Sequence, residues 1–325
     1  MHLSRLRDLA TLAALGLAAP CAAGPGVWTG SGPDGGSIYD VEIHPTSPAL
    51  VYASTRGGIY RSVDGASTWQ RIENGFGAGS REDVKLTIDR DAPSQLWAVN
   101  FGGRLFRSSD GGDNWTPTGW TSTTPVRAIA DVPGVSGQLY LIESNGSLRR
   151  STDNGTTFAP LGLTLPLQPI AELRLFTQPG RPLELVVGVS YVTGTGGPDT
   201  RVVLHRSVDG GASFTPLLTL PAEASMFAVD FSRGPGTRLY ATANGQLWRS
   251  NDDGLNWTLT GLSAQRVRAH PSVADTVWLG QSLQDGSSNL RRSTDGGVSA
   301  VDVAAGLSPN PGYGSTAAVS EIVLH

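Results

Sequence analysis

Two sets of carboxylates have residue types and spacings that suit chemistry. Asp40, Glu42, Glu172 and Asp230 fall in short segments that read as inner β-strands. Two carboxyls about 6.5–9.5 Å apart can hydrolyse a glycosidic bond with inversion, one acting as acid and the other as base. Lys85, Arg127, Arg174 and Arg268 lie in matching segments, and pairing with them would give the same carboxylates a structural role. The second set is Asp64, Asp110, Asp153, Asp209, Asp252 and Asp295, each in a recurring phrase such as RSSDGGDNW from Arg107 or RSVDGGASF from Arg206. Catalysis needs one constellation, whereas these are six equivalent positions in six separate loops. The phrase reads instead as a hairpin. The carboxylate accepts N–H bonds across the turn, Gly takes φ > 0, and the aromatic ring returns to the core. Ala66 replaces the usual Gly in the first copy and Ala300 the aromatic in the sixth, so those two hairpins should be the weakest.

Other chemistries are poorly served. His44, His270 and His325 sit at ends of first strands and His205 beside a repeat arginine, so no two have local metal-ligand spacing and no metal site is expected. There is no Gly-x-Ser-x-Gly elbow and no phosphate-binding loop, and no cofactor is expected. Net charge is −4 with basic residues scattered, which disfavours a nucleic-acid surface.

The elements that must position these residues follow from the repeat. The six aspartates are spaced by 46, 43, 56, 43 and 43 residues, one step carrying an insertion. The arginines opening each phrase (Arg61, Arg107, Arg150, Arg206, Arg249 and Arg292) are repeat positions. Each unit reads as four short strands, in the first at 39–44, 50–54, 58–62 and 69–72, separated by Pro, Gly and Asp turns. Gly 42 and Pro 21 make up about a fifth of the 325 residues, against roughly 12% in average usage, as such turn density requires. A four-stranded unit of this period cannot bury both faces alone, and radial stacking solves that. The expected fold is an all-β propeller over residues 24–325, with six complete blades and an incomplete seventh. The seventh is suggested by Val27-Trp28-Thr29, which resembles fourth-strand entries such as Trp115-Thr116, and by 321–325, which resembles a first strand. The rival is a closed six-bladed ring.

Residues 1–23 read as a secretory signal peptide: Arg5 and Arg7, an apolar run over 9–19, and small residues before Gly24. Export to a periplasmic or extracellular space follows, with no membrane span, and lipidation at Cys21 is disfavoured by Pro20. Cleavage removes the single cysteine, so thiolate chemistry and disulfides are not expected of the mature chain.

The recurring phrase resembles the Asp-box, or bacterial neuraminidase repeat, over nearly all of residues 24–325. The resemblance implies a propeller related to sialidases, xyloglucan-hydrolysing glycosidases, sortilin-like domains and the photosystem II assembly factor, with the boxes at the periphery. A sialidase would carry an arginine triad announced by Phe-Arg-Ile-Pro, which is missing here; Arg56, Arg127, Arg174 and Arg266, outside the repeat phrase, are arginines that could in principle converge. The xyloglucan hydrolases carry a catalytic aspartate in Arg-Thr-Asp-x-Gly-Gly, and Thr55 stands at that place in Ala53-Ser54-Thr55-Arg56-Gly57-Gly58.

With no intact catalytic set, the sequence is read as a non-enzymatic monomer that binds a protein or glycan through loops on one face, a secreted glycoside hydrolase being the alternative. Arg56, Phe76, Arg81, Phe101, Trp120, Tyr191 and Arg266 are the candidate binding residues, as aromatic and guanidinium groups suited to stacking on sugars or peptides.

Overall fold

The computed structural model describes residues 38–76, 83–165, 169–178, 180–192, 200–220, 229–282, 288–303 and 322. They form six four-stranded antiparallel sheets, each with its strands in sequence order from the inner to the outer edge, and contain no helix. The inner strands are Ile38–Ile43, Lys85–Ile88, Val126–Asp131, Ile170–Gln178, Val229–Arg233 and Arg266–Ala269. Inner strands of successive blades touch from blade 1 through to blade 6. This is a β-propeller, and the six complete blades expected from the repeat are present. The segments read as halves of a seventh lie outside the described residues, except Ile322, which is buried.

Because the sheets stack face to face, the second strand is buried without alternation. Val51–Thr55, Leu96–Val99, Leu139–Glu143 and Leu239–Ala243 are buried at every position, whereas outer strands such as Gln70–Arg71 and Val301–Asp302 are exposed. The core is accordingly divided among the seams between blades. Tyr52, Ile59 and Ile72 of blade 1 pack with Leu86, Phe106 and Trp115 of blade 2, and equivalent clusters fill the other four seams of the six-blade arc. Blade 4 is the tallest: its second strand, Arg181–Val192, has 12 residues.

All six aspartate loops form, the first and sixth included. In each, the serine two residues earlier donates to the carboxylate at 2.7–2.8 Å. The other side of that hydroxyl accepts an N–H from Ala66, Gly112, Gly155, Gly211, Gly254 or Gly297 at 2.8–2.9 Å. The carboxylate then accepts the backbone N–H four residues on, from Thr68 at 2.8 Å through to Ser299 at 2.9 Å. The two residues after each aspartate both have positive φ, which is why Gly, Asn and Asp dominate there; Ala66 is held at φ 70. These bonds keep the carboxyls below the usual carboxylate range, Asp64 at about 2 with its bonds to Thr68 the largest cause. Asp110, Asp153, Asp209, Asp252 and Asp295 are lowered for the same reason.

Five of the six loops also receive the preceding blade. The carbonyl of the residue after the aspartate accepts from a side chain one blade back: Gly111 from Arg61, Asn154 from Trp97, Gly210 from Tyr140, Asp253 from Arg206 and Gly296 from Arg249. The loop aromatics return the contact. The Trp115 indole N–H donates to the Ile72 carbonyl at 2.8 Å and that of Trp257 to the Leu217 carbonyl at 3.0 Å. Trp115→Phe should therefore cost about 1–2 kcal/mol in urea unfolding by leaving a buried carbonyl without its donor.

The depressed aspartates fix a pH window. Their folded values lie below the unfolded value of about 3.9, so their stabilisation is complete above that pH and is lost as pH falls toward about 2. The melting temperature should drop across this interval, and high salt should leave the drop in place because short hydrogen bonds, not long-range fields, are its cause.

Candidate functional site

The inner strands surround a central cavity of about 500 Å³. Asp40, Glu42 and Glu172 line it, as do Lys85, Arg90, Arg127, Arg174, Arg233 and Arg268. Asp230 does not line it and is fully buried between blades 5 and 6.

The carboxylates have prior commitments. One Asp40 oxygen accepts the Leu86 N–H of blade 2 at 3.0 Å, one Glu172 oxygen the Val229 N–H of blade 5 at 3.1 Å, and one Asp230 oxygen the Val267 N–H of blade 6 at 3.0 Å. Each thus caps the inner strand of the next blade. Their remaining oxygens meet Arg174 Nε at 3.0 Å in the case of Glu172, Arg268 at 2.8 Å in the case of Asp230, and the Val41 N–H at 3.1 Å in the case of Asp40. Glu42 lies 3.9 Å from Arg90, which itself pairs with the buried Asp131. Thr87 and Ser232 perform the same strand-bridging with hydroxyls, toward Asp131 and Ala269.

The expected counter-ions are partly redistributed. Arg174 and Arg268 pair with Glu172 and Asp230, but Lys85 turns to Asp83 at 2.6 Å. Arg127 is exposed and makes no ion pair among the described residues. Arg90 and Arg233 were not singled out from the sequence; Arg233 closes the first strand of blade 5 and Arg90 follows that of blade 2 by two residues, and the position of each just ahead of a Pro-containing turn was the available signal. Arg233 joins Arg206 around Glu184 and Asp253 in a buried cluster between blades 4 and 5.

The candidate binding residues do not form one surface. Phe76 is a correction: it is fully buried, its ring 4.3 Å from Phe106, because Gly75 at φ 87 turns the chain back against Trp115. Tyr191 is a second correction. It lies in the extended second strand of blade 4, paired with Ile170, and is buried in the seam with blade 3. Trp120 rests half-buried on Phe158 at 4.6 Å, and Arg266 turns to Glu172 at 3.5 Å. Phe101, 57% exposed, and Arg56 occupy turns between second and third strands and face solvent. Arg81 lies outside the described residues. Thr55, at the place of the xyloglucanase aspartate, is buried and accepts the Gly57 N–H at 3.0 Å.

His44 and His270 cap turns, their Nδ1 atoms accepting from Thr46 at 3.3 Å and Val273 at 3.0 Å. Burial lowers the His205 pKa. No group of three metal-ligating side chains occurs among the described residues, and no helix there is long and apolar enough to cross a membrane.

A propeller with a charged central cavity is thus the class that fold and site define. No protein-family model matches the sequence. A xyloglucanase of Hypocrea jecorina is 33% identical over 89 residues, 25% of this chain and 10% of that protein. Among solved structures, the GH74 xyloglucanase of Xanthomonas campestris aligns with 82% of this chain and 45% of its own, at a TM-score of 0.62 and 19% identity. YCF48 bound to a D1 peptide aligns with 82% of this chain and 81% of its own, at 0.57 and 19%. The chain therefore spans less than half of either xyloglucanase, and the structural likenesses establish the fold.

The strand-capping carboxylates have a measurable consequence. Asp230→Ala strands Arg268 without its buried partner and should cost about 3–5 kcal/mol in urea unfolding. Arg127→Ala should stay within about 0.5 kcal/mol of the parent.

Proposed function

We propose that this chain is an exported, non-enzymatic Asp-box propeller that binds a protein or glycan partner at the face carrying the turns between second and third strands, around the mouth of the cavity. The observation that supports this reading is the use of Asp40, Glu172 and Asp230 as caps for the neighbouring inner strand. A carboxylate with both oxygens engaged is poorly placed to exchange a proton with a substrate, and general acid–base chemistry needs that exchange. Phe101 and Arg56 are the exposed aromatic and guanidinium groups this face offers. A peptide is a suitable partner class, since YCF48, which shares the fold, is bound to a D1 peptide.

A second reading, a secreted glycoside hydrolase, draws on the stretch shared with the Hypocrea jecorina xyloglucanase. The two separate in one assay. The full chain is incubated with xyloglucan, other β-glucans and sialosides beside its Asp40→Asn and Glu172→Gln variants. The binding reading expects no turnover and lowered melting temperatures in both variants. Turnover by the parent that disappears in a variant retaining the parent's melting temperature would establish the hydrolase instead.

A further inference from the structure

The aspartate loops and the turns between first and second strands share the face opposite the cavity mouth proposed above, because strands alternate in direction across each blade. They are stitched together in every blade. The N–H of the residue after each aspartate donates to a carbonyl of the adjoining turn at 2.8–3.0 Å, from Gly65 on Ala49 through to Gly296 on Asp275. Apart from residue 179, every residue of these turns is described. Charge on this face is sorted by depth. Among the described residues Asp64, Asp91, Asp110, Asp113, Asp209 and Asp295 are exposed, against only Arg181 and Arg292, while loop arginines such as Arg61, Arg206 and Arg249 are drawn inward as latches.

Two of the loops also carry apolar side chains that their closure does not require. Blades 2 and 3 have Ser109 and Thr152 just before the aspartate and Asp113 and Thr156 three positions after it, and their loops close with the same bonds as the others. Polar residues therefore serve the fold at both positions. Blade 4 instead places Val208 at the first, 63% exposed, and blade 5 places Leu255 at the second, 84% exposed. The exposed Leu183 lies over Gly210 of the blade 4 loop and extends the same surface, and Arg206 ties that blade to the loop carrying Leu255.

We propose that this face, over blades 4 and 5, docks a basic polypeptide segment whose apolar side chains cover Leu183, Val208 and Leu255. Exposed apolar groups grouped on one side of a fold mark a contact surface, and the surrounding charge selects what makes the contact. Six exposed carboxylates repel a nucleic acid, an anionic lipid surface and the same face of a second copy, and attract lysine and arginine. Asp209 adjoins Val208 and Asp252 lies three residues before Leu255; hydrogen bonds from Ser213 and Asn256 keep these two carboxyls below the usual range, so both stay charged at any ordinary pH.

The test is a titration of the full chain into a labelled amphipathic peptide of lysine and leucine, followed by fluorescence anisotropy, beside a glutamate–leucine counterpart and the Val208→Ser/Leu255→Ser double variant. The lysine peptide should bind and the glutamate peptide should not, and the double variant should weaken binding by roughly tenfold or more. Its melting temperature should stay within about 2 °C of the parent, because both side chains are largely exposed. Absence of binding by the lysine peptide, equal binding of the glutamate peptide, or a double variant that binds like the parent overturns the proposal. Binding of the parent to phosphatidylglycerol vesicles overturns it in favour of a membrane surface, and self-association that Leu255→Ser abolishes overturns it in favour of a second copy. Should the double variant melt lower than expected, Leu255→Ser alone makes the same comparison.

Discussion

One repeated carboxylate organises this molecule, and it does so from the surface. Each loop aspartate is exposed or half-exposed, yet it holds a serine hydroxyl, a backbone N–H and a polar side chain at once. These bonds force two successive residues to positive φ, which turns the next carbonyl outward from its own blade and toward the preceding one. That carbonyl then takes the Arg, Trp or Tyr latch across the seam. A local turn thereby becomes an interface element, and the lateral cohesion of the six described blades depends on five such hairpins as well as on buried area.

The inner edge solves the corresponding problem with different chemistry. The first strand of every blade has a free edge, and its N–H groups near the next blade need acceptors in a space that water reaches only through the channel. Asp40, Glu172 and Asp230 supply charged acceptors, and Thr87 and Ser232 neutral ones. A carboxylate has two oxygens, so after capping one N–H it must still satisfy the second, and arginine or the strand's own backbone does this. The charge in the channel is therefore largely internal bookkeeping between blades. Arg127, which joins none of these pairs, is the cation the lining leaves to solvent.

The repeat made the fold legible because each blade repeats one set of local constraints: strand length, turn residues and the loop phrase can all be compared copy against copy. What joins the blades was less accessible. Arg61 and Gly111 lie 50 positions apart, and nothing in the phrase containing Arg61 indicates that it serves the following loop. The binding-face reading failed at Phe76 and Tyr191 for related reasons. Phe76 follows a fourth strand in a Gly-rich stretch, and the positive φ of Gly75 that folds it inward has no pattern beyond a glycine. Tyr191 sits where an insertion lengthened blade 4, and the second and third strands there run on to Val192 and from Thr200, taking Tyr191 into the sheet. The role of the channel carboxylates was open from sequence because an acid on an inner strand looks the same whether it faces a substrate or the neighbouring backbone.

That last ambiguity is physical and shapes how such a fold gains or loses an activity. An inner-strand carboxylate is already desolvated on one side and already near cations, the environment in which a catalytic acid is also made. The deciding variable is the N–H of the next inner strand. Where a hydroxyl satisfies that group, as Thr87 does for the Asp131 N–H, no carboxylate is needed there; where nothing else does, the carboxylate stays fixed. In this chain the three seams that use carboxylates also surround them with arginine or backbone donors, so releasing one would strand either an N–H or a guanidinium. Chemistry at this channel would require rebuilding the seam beside it, whereas the exposed turns around its mouth can change residue by residue without disturbing a blade.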